Sequence, residues 1–345
     1  IDVKIHKSSK FARNVFKIIT SKSDKGNIPP KLRKKFKAVV TVKYKFGNCS
    51  YQAIVRQSGD LKDHVKFVDG GPIQSLDVKL KNGNVSNATR FKLLIPETRY
   101  GKNEILATLI LRDLGFIAPE TFEVNVAINN VKALMLFQEK AEKELLEKNF
   151  RREGPIFEGD ESLLWSFKNY GIFELEPLAL ARLTNDKWFK KGYTSKHIVI
   201  KSYQDLQNSL LDYAIKNLQD LNLYTVFPNS LKNETFINYH SVLMAMNGIH
   251  ALRPPNRKYY YNAIEGYFEP IYYDGDVMFK PPKKDWLFKP ITQDVRDSLL
   301  PIRPTDEFIN LVLNVVKSEK LRTNFIDRII LDEETDLFFY VTHRC

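Results

Sequence analysis

Two carboxylates, Asp274 and Asp276, flank Gly275 at the end of a short apolar alternation carried by Ile271 and Tyr273. Hard oxygen donors at a strand end suit Mg²⁺, which keeps waters and phosphate oxygens as its other ligands. Asp-Gly is also a common turn dipeptide, so the triplet alone reads first as a turn. Upstream, residues 247–256 (Asn-Gly-Ile-His-Ala-Leu-Arg-Pro-Pro-Asn) form a polar loop after an apolar helix. Within it, Asn256 could lend a side-chain oxygen to a metal and His250 could accept a proton near neutral pH. Arg253 could neutralise a phosphate or brace an acidic loop. Each has a plainer reading as a loop residue. Taken in order, an apolar helix, a polar loop, a tight hairpin and paired carboxylates are the parts that phosphoryl transfer needs.

These side chains require a scaffold, and the periodicity supplies one. Over residues 39–57, Val40, Val42, Tyr44 and Phe46 alternate with Val39, Thr41, Lys43 and Lys45. Tyr51, Ala53 and Val55 resume the pattern after Gly47-Asn48. Leu76, Val78 and Leu80 alternate with Asp77, Lys79 and Lys81, and Asn82-Gly83 turns the chain toward Phe91, Leu93 and Ile95. This predicts about four antiparallel strands with one buried face. Helical spacing covers 101–114, and two more strands fall near 121–128 and 132–138. Residues 139–149 read as a helix with Glu139–Lys143 and Glu144–Lys148 pairs. Beyond Gly154 the texture turns mainly helical, with helices expected at 160–168, 175–186, 203–220 and 234–246. A hairpin near 258–273 follows, then helices at 290–299, 305–318 and 320–330. The expected organisation is a basic segment (1–35), a β-rich part (36–155) and a helical part (156–345).

Charge is concentrated rather than spread. Residues 1–45 hold 14 Lys and Arg against Asp2 and Asp24, while the rest of the chain holds 39 groups of each sign. A solvated basic arm or strand surface accounts for such a run, so nucleic acid is not the partner expected. An RNA- or envelope-binding protein led by this segment is kept as an alternative. No stretch approaches the ~20 apolar residues of a membrane span. Cys49 and Cys345 are the only cysteines, which argues against a zinc cluster or disulfide framework. Beginning at Ile1 rather than Met, the chain is expected to lack its natural N-terminus, and a signal peptide stays open.

A longer ordered series carries a resemblance. Ala53-Ile54-Val55-Arg56-Gln57-Ser58-Gly59, Ser75-Leu76-Asp77-Val78-Lys79-Leu80 and Phe91-Lys92-Leu93-Leu94 come in sequence. Arg99, Asn103, Leu114-Gly115, Ala118-Pro119, residues 124–129 (Val-Asn-Val-Ala-Ile-Asn) and Phe137-Gln138-Glu139 follow. Asn256 and Asp274-Gly275-Asp276 come last. Together they resemble the spore-coat H (CotH) kinase family, an atypical branch of the protein-kinase-like fold, over about residues 50–280. The resemblance implies a two-lobed α+β fold, with an antiparallel β-rich N-terminal lobe and a mainly helical C-terminal lobe. It implies an ATP- and Mg²⁺-dependent phosphotransferase acting on a protein acceptor. Arg56, Lys79 and Glu139 would bind nucleotide, Glu139 orienting Lys79. Asp274, Asp276 and Asn256 would hold metal, with His250, Arg253 and Asn256 near the chemistry. Two departures stand out. The family's Arg-Gly-Asn-Ser string is Arg56-Gln57-Ser58-Gly59 here, and Ala251 occupies the position of the kinase loop Asp. A catalytically impaired assembly protein is therefore the alternative. Localisation stays open between the cytoplasm and a coat or cell surface, and the sequence does not indicate an oligomeric state.

Overall fold

The computed structural model describes residues 1–22, 26–160, 181–217, 233–279 and 304–330. The expected helices at 160–168 and 290–299 lie essentially outside these residues. Two compact units divide the chain. The first gathers Ile1–Ile105, Pro119–Lys140 and Ile326–Leu331; the second gathers the described residues of Leu106–Ala118 and Ala141–Phe325.

The first unit is a closed barrel of seven strands. Chain order gives β1 (Asp2–Ile5), helix α1 (Ser8–Thr20), β2 (Lys35–Tyr44), β3 (Gly47–Gln57), β4 (Val65–Val68) and β5 (Gly71–Gln74). After these come β6 (Leu76–Leu80), β7 (Arg90–Leu94), β8 (Thr121–Ile128) and β9 (Val131–Glu139); helix α2 (Lys102–Asp113), between β7 and β8, belongs from Leu106 onward to the second unit. Around the barrel the order is β1-β2-β3-β6-β7-β9-β8, while β4 and β5 form a separate hairpin. All neighbours are antiparallel except β1 and β8, whose parallel pairing (Asp2 to Ala127, Val3 to Ile128) closes the ring. Closure leaves no sheet edge to aggregate.

Alternation explains the interior. Val40, Val42, Val55, Val78, Phe91, Leu93, Val126 and Phe137 are buried in one cluster, and the residues between them face outward. Phe137 stacks on Phe91 at 4.6 Å and on Phe122 at 4.5 Å between ring centroids. Helix α1 adds Phe11 and Val15 to the same cluster, an i, i+4 stripe that leaves Lys10, Arg13 and Lys17 exposed. Each fully buried aliphatic side chain contributes about 1.5–3 kcal/mol relative to exposure. The basic N-terminal residues are thus built into the barrel as β1, α1 and β2.

In the second unit, a four-stranded antiparallel sheet has the order β11-β10-β12-β13. Its strands are β10 (Ile156–Gly159), β11 (Ala181–Leu183), β12 (Lys258–Asn262) and β13 (Tyr267–Ile271). Among the described residues its helices are α3 (Lys143–Lys148), α4 (Asp186–Phe189), α5 (Tyr193–Asn217), α6 (Asn233–Ala245), α7 (Asp306–Val316) and α8 (Glu319–Ile326). Phe157, Tyr259, Tyr261 and Phe268 of the sheet pack with Val199, Leu206 and Leu210 of α5 and Phe236 of α6.

The two-lobed protein-kinase-like fold is corrected by these findings. A closed barrel replaces the open β-rich lobe, because the short strand β1 pairs with both β2 and β8. The second unit carries its own sheet instead of being mainly helical. Residues 181–183 pair with β10 as a strand inside the range expected for a helix. The helix expected from Glu139 starts at Lys143, because the Glu139 N–H stays in the ladder and bonds to the Glu120 carbonyl at 2.9 Å. No helix among the described residues is long and apolar enough to cross a membrane.

Candidate metal centre

The loop that carries His250 begins at a defined helix end. Asn247 takes a left-handed conformation (φ 55°), its N–H bonds to the Met244 carbonyl at 3.1 Å, and the Gly248 N–H reaches the Leu243 carbonyl at 2.6 Å. That pair of bonds is a Schellman cap, with Asn at the left-handed position. Asn247 Nδ2 also donates to the Met278 carbonyl at 2.9 Å, and the Met278 N–H donates to the Met246 carbonyl at 3.1 Å. The helix end and the acidic loop are therefore tied together by hydrogen bonds on both sides.

From the cap, a 3₁₀ turn over Ile249–Leu252 presents His250. A second turn, Pro254–Asn256, follows. Asn256 Nδ2 donates to the His250 carbonyl at 3.0 Å, and Arg257 Nε donates to the Leu252 carbonyl at 2.6 Å. The Asn256 amide thus holds the His250 turn by its backbone.

The acidic loop is shaped by its strand. Ile271 bridges to Ile117, and the Tyr272 N–H bonds to the Ile117 carbonyl at 2.8 Å. Asp274 and Asp276 both adopt left-handed backbone angles (φ 55° and 50°), which Asp tolerates better than most residues. Gly275 lies against the ring of the buried Tyr272; a Cβ there would come within 2.6 Å of the Tyr272 hydroxyl. The glycine is needed for close approach.

These local choices bring three side chains together. His250, Asp274 and Asp276 each offer a ligand atom, and the three atoms lie within 4.8 Å of one another. His250 Nε2 is 3.8 Å from Asp276 Oδ2, and both side chains are about one-third exposed. Ligands at ~2.1 Å in an octahedral shell lie about 3 Å apart when adjacent and roughly 4.2 Å apart when opposite. A small contraction of this half-open cluster therefore accommodates one ion. A nitrogen and two carboxylates make a donor set that suits Mn²⁺ or Zn²⁺ as well as Mg²⁺.

Nearby charges are paired. Glu158 on β10 accepts from Lys258 on β12 and bonds to Arg182 at 2.7 Å. Burial opposes ionisation of Glu158, but Lys258 and Arg182 outweigh it and hold the carboxyl down at about 2. Lys258 Nζ also sits 4.0 Å over the ring of Tyr273, next to Asp274. Arg151 clamps the buried Glu269 at 2.7 and 2.9 Å. His240 on α6 is buried, and burial, with Arg257 adding to it, lowers it to about 3, so it stays neutral.

The residues expected to bind nucleotide belong to the first unit. Lys79 pairs with Arg90 on the outer face and is exposed, whereas Glu139 pairs with Phe91 and shares its inward face. The register therefore puts the expected Lys79–Glu139 partners on opposite faces of the sheet. Arg56 bonds to Asp77 at 3.0 Å. In the second unit, Arg253 is exposed, and its carbonyl accepts from the Asn256 and Arg257 N–H groups. One contributor went unassigned at the level of sequence and another was given a different role. Asn247 showed only as the first residue of the polar loop, and its link to Met278 is non-local. His250 was singled out for proton transfer rather than as a companion of the carboxylates. Searches against protein families and curated proteins return no match for this chain.

Proposed function

We propose that His250, Asp274 and Asp276 bind a divalent cation and that the protein is a metal-dependent phosphotransferase, with ATP as donor and a protein as acceptor. The observation that carries the metal part is the meeting of these three side chains within 4.8 Å at a strand end. The ATP and acceptor parts rest on the resemblance described above and on the loop, hairpin and paired carboxylates coming in the order such chemistry uses. A bound cation would neutralise charge on phosphate oxygens. Asn256 acts here as a positioning residue, holding the turn that presents His250. Arg253, exposed beside that turn, is the cation nearest in sequence for a phosphate.

A second reading is supported by Ala251, which is only 3% exposed. The position of the kinase loop Asp is occupied by a buried methyl group, so no loop carboxylate serves as base there. A metal-binding protein without transfer activity fits that observation. Incubation with radiolabelled ATP and either Mg²⁺ or Mn²⁺ separates the two readings. Autophosphorylation or ATP turnover that falls at least about 100-fold in Asp274→Ala and Asp276→Ala supports the phosphotransferase. Metal binding without any turnover supports the second reading. Turnover unchanged in both variants would sink the site.

A further inference from the structure

Helix α1 has one side fixed in the barrel unit, where Phe11, Asn14, Val15 and Ile18 are buried. Its remaining surface is divided into two stripes. Lys10, Arg13 and Lys17 recur at i, i+3 and i+7, and beside them Ala12, Phe16 and Ile19 recur at i, i+4 and i+7. At 3.6 residues per turn each stripe covers about 60° of the helix circumference. All three cations are exposed, and among the described residues none of them makes an ion pair. Ala12 is exposed, Ile19 is half-buried at the edge of the core, and Phe16 stands 63% exposed.

The flanks continue the basic stripe. Lys7 is exposed just before the helix and Lys22 just after it, and no acidic residue occurs between Asp2 and Asp24. A solvated charged face has no use for the phenyl ring at its border, which forgoes the transfer free energy that burial would return. The helix is also preformed. Its buried side holds it in place, so binding through the outer side carries no cost of helix nucleation.

We propose that α1 docks the barrel unit onto an anionic membrane surface. Lys10, Arg13 and Lys17 would meet the headgroup phosphates and carboxylates, while Phe16 enters the boundary between headgroups and acyl chains. Charge complementarity selects an anionic partner, and the apolar stripe selects lipid among anionic partners. A nucleic acid would engage the cations, and one base could stack on Phe16. Ala12 and Ile19 on the same stripe offer no aromatic face, however, so a strand would leave that stripe in water. A bilayer interface covers both stripes at once. The association is peripheral, since the buried side of α1 stays in the barrel unit.

Co-sedimentation of the full chain with phosphatidylcholine vesicles, with and without about one-third phosphatidylserine, tests this. The chain should partition onto the anionic vesicles, and raising salt from about 0.1 M to about 0.5 M should release most of it. Lys10→Gln/Arg13→Gln/Lys17→Gln, at exposed positions that leave the core intact, should lower the partition coefficient about 100-fold. Phe16→Ser should lower it about tenfold. Lys190→Gln/Lys201→Gln, exposed in the second unit, should leave it unchanged. Equal partition onto neutral and anionic vesicles would overturn the proposal, as would wild-type partition in the triple variant or in Phe16→Ser. Tighter binding to poly(U) than to anionic vesicles at the same salt would overturn it in favour of a nucleic acid.

Discussion

In the barrel unit one carboxylate, Asp77, gathers three cations, whereas in the second unit two carboxylates, Asp274 and Asp276, gather around one imidazole. The scaffolds differ in the same sense. Asp77 sits mid-strand on a closed ladder, with its neighbours set by register. The pair at 274 and 276 sits in a loop whose backbone is left-handed at both positions and tied to a helix cap. Paired carboxylates at a strand end suit a small cation. The comparison teaches that register fixes the neighbours of a carboxylate on a ladder, whereas a loop must be tied down by non-local hydrogen bonds before its carboxylates can meet a partner.

The strongest way to break the comparison is to remove the barrel's carboxylate. Asp77→Asn leaves three cations around a neutral amide and should cost the barrel about 3–5 kcal/mol in a denaturant melt, as for other broken buried pairs. Metal binding by the second unit should persist. A loss below about 1 kcal/mol would mean that the clamp is structurally idle.

Acid should sharpen the contrast through the buried histidines, one in each unit. Burial, with smaller contributions from Arg99, Lys92 and Arg33, lowers His64 to about 3; His240 is lowered equally, by burial and Arg257. Both fold neutral, while the unfolded chain binds a proton near pH 6.5. Their contribution is therefore complete above pH 6.5 and is lost as pH falls toward 3, at about 1.4 kcal/mol per pH unit for each. At pH 5 each costs about 2 kcal/mol. His240→Gln should flatten the acid slope of the second unit only, and His64→Gln that of the barrel only. Parallel slopes in wild type and both variants would contradict the assignment.

Gly275→Ala should come next. The methyl would meet the buried Tyr272 ring, so the loop must move, at about 2 kcal/mol and a tenfold or greater loss of metal affinity. Asn256→Ala should have the smallest effect, about 1 kcal/mol for one hydrogen bond, with metal affinity reduced about tenfold through the His250 turn. Equal affinity in Asn256→Ala would detach the turn from the metal centre.

Much of the barrel was legible in residues 39–57, 76–80 and 121–138, where strict alternation marks strands with one buried face. Closure was not. Strand β1 has only four residues, and its parallel partner lies more than 100 positions away, so no local pattern announces the pairing. Glu139 shows propensity losing to the ladder: an i,i+4 charge pattern favoured a helix, but the pairing with Phe91 kept the residue in β9. Short β11 was missed because three residues carry no period. For the metal centre, Asp274 and Asp276 were visible as carboxylates at a strand end. His250 joins them across non-local ties between Met278 and the helix end at Met246 and Asn247, which no local pattern announces.

Calorimetric titration of Mn²⁺ into the full chain tests the central claim most directly, in wild type, His250→Ala and Asp274→Asn/Asp276→Asn. One ion should bind per wild-type chain, with affinity reduced at least about tenfold in His250→Ala and more than about 100-fold in the double variant. Wild type that takes up no Mn²⁺, Zn²⁺ or Mg²⁺, or a double variant that binds as tightly as wild type, would contradict the account.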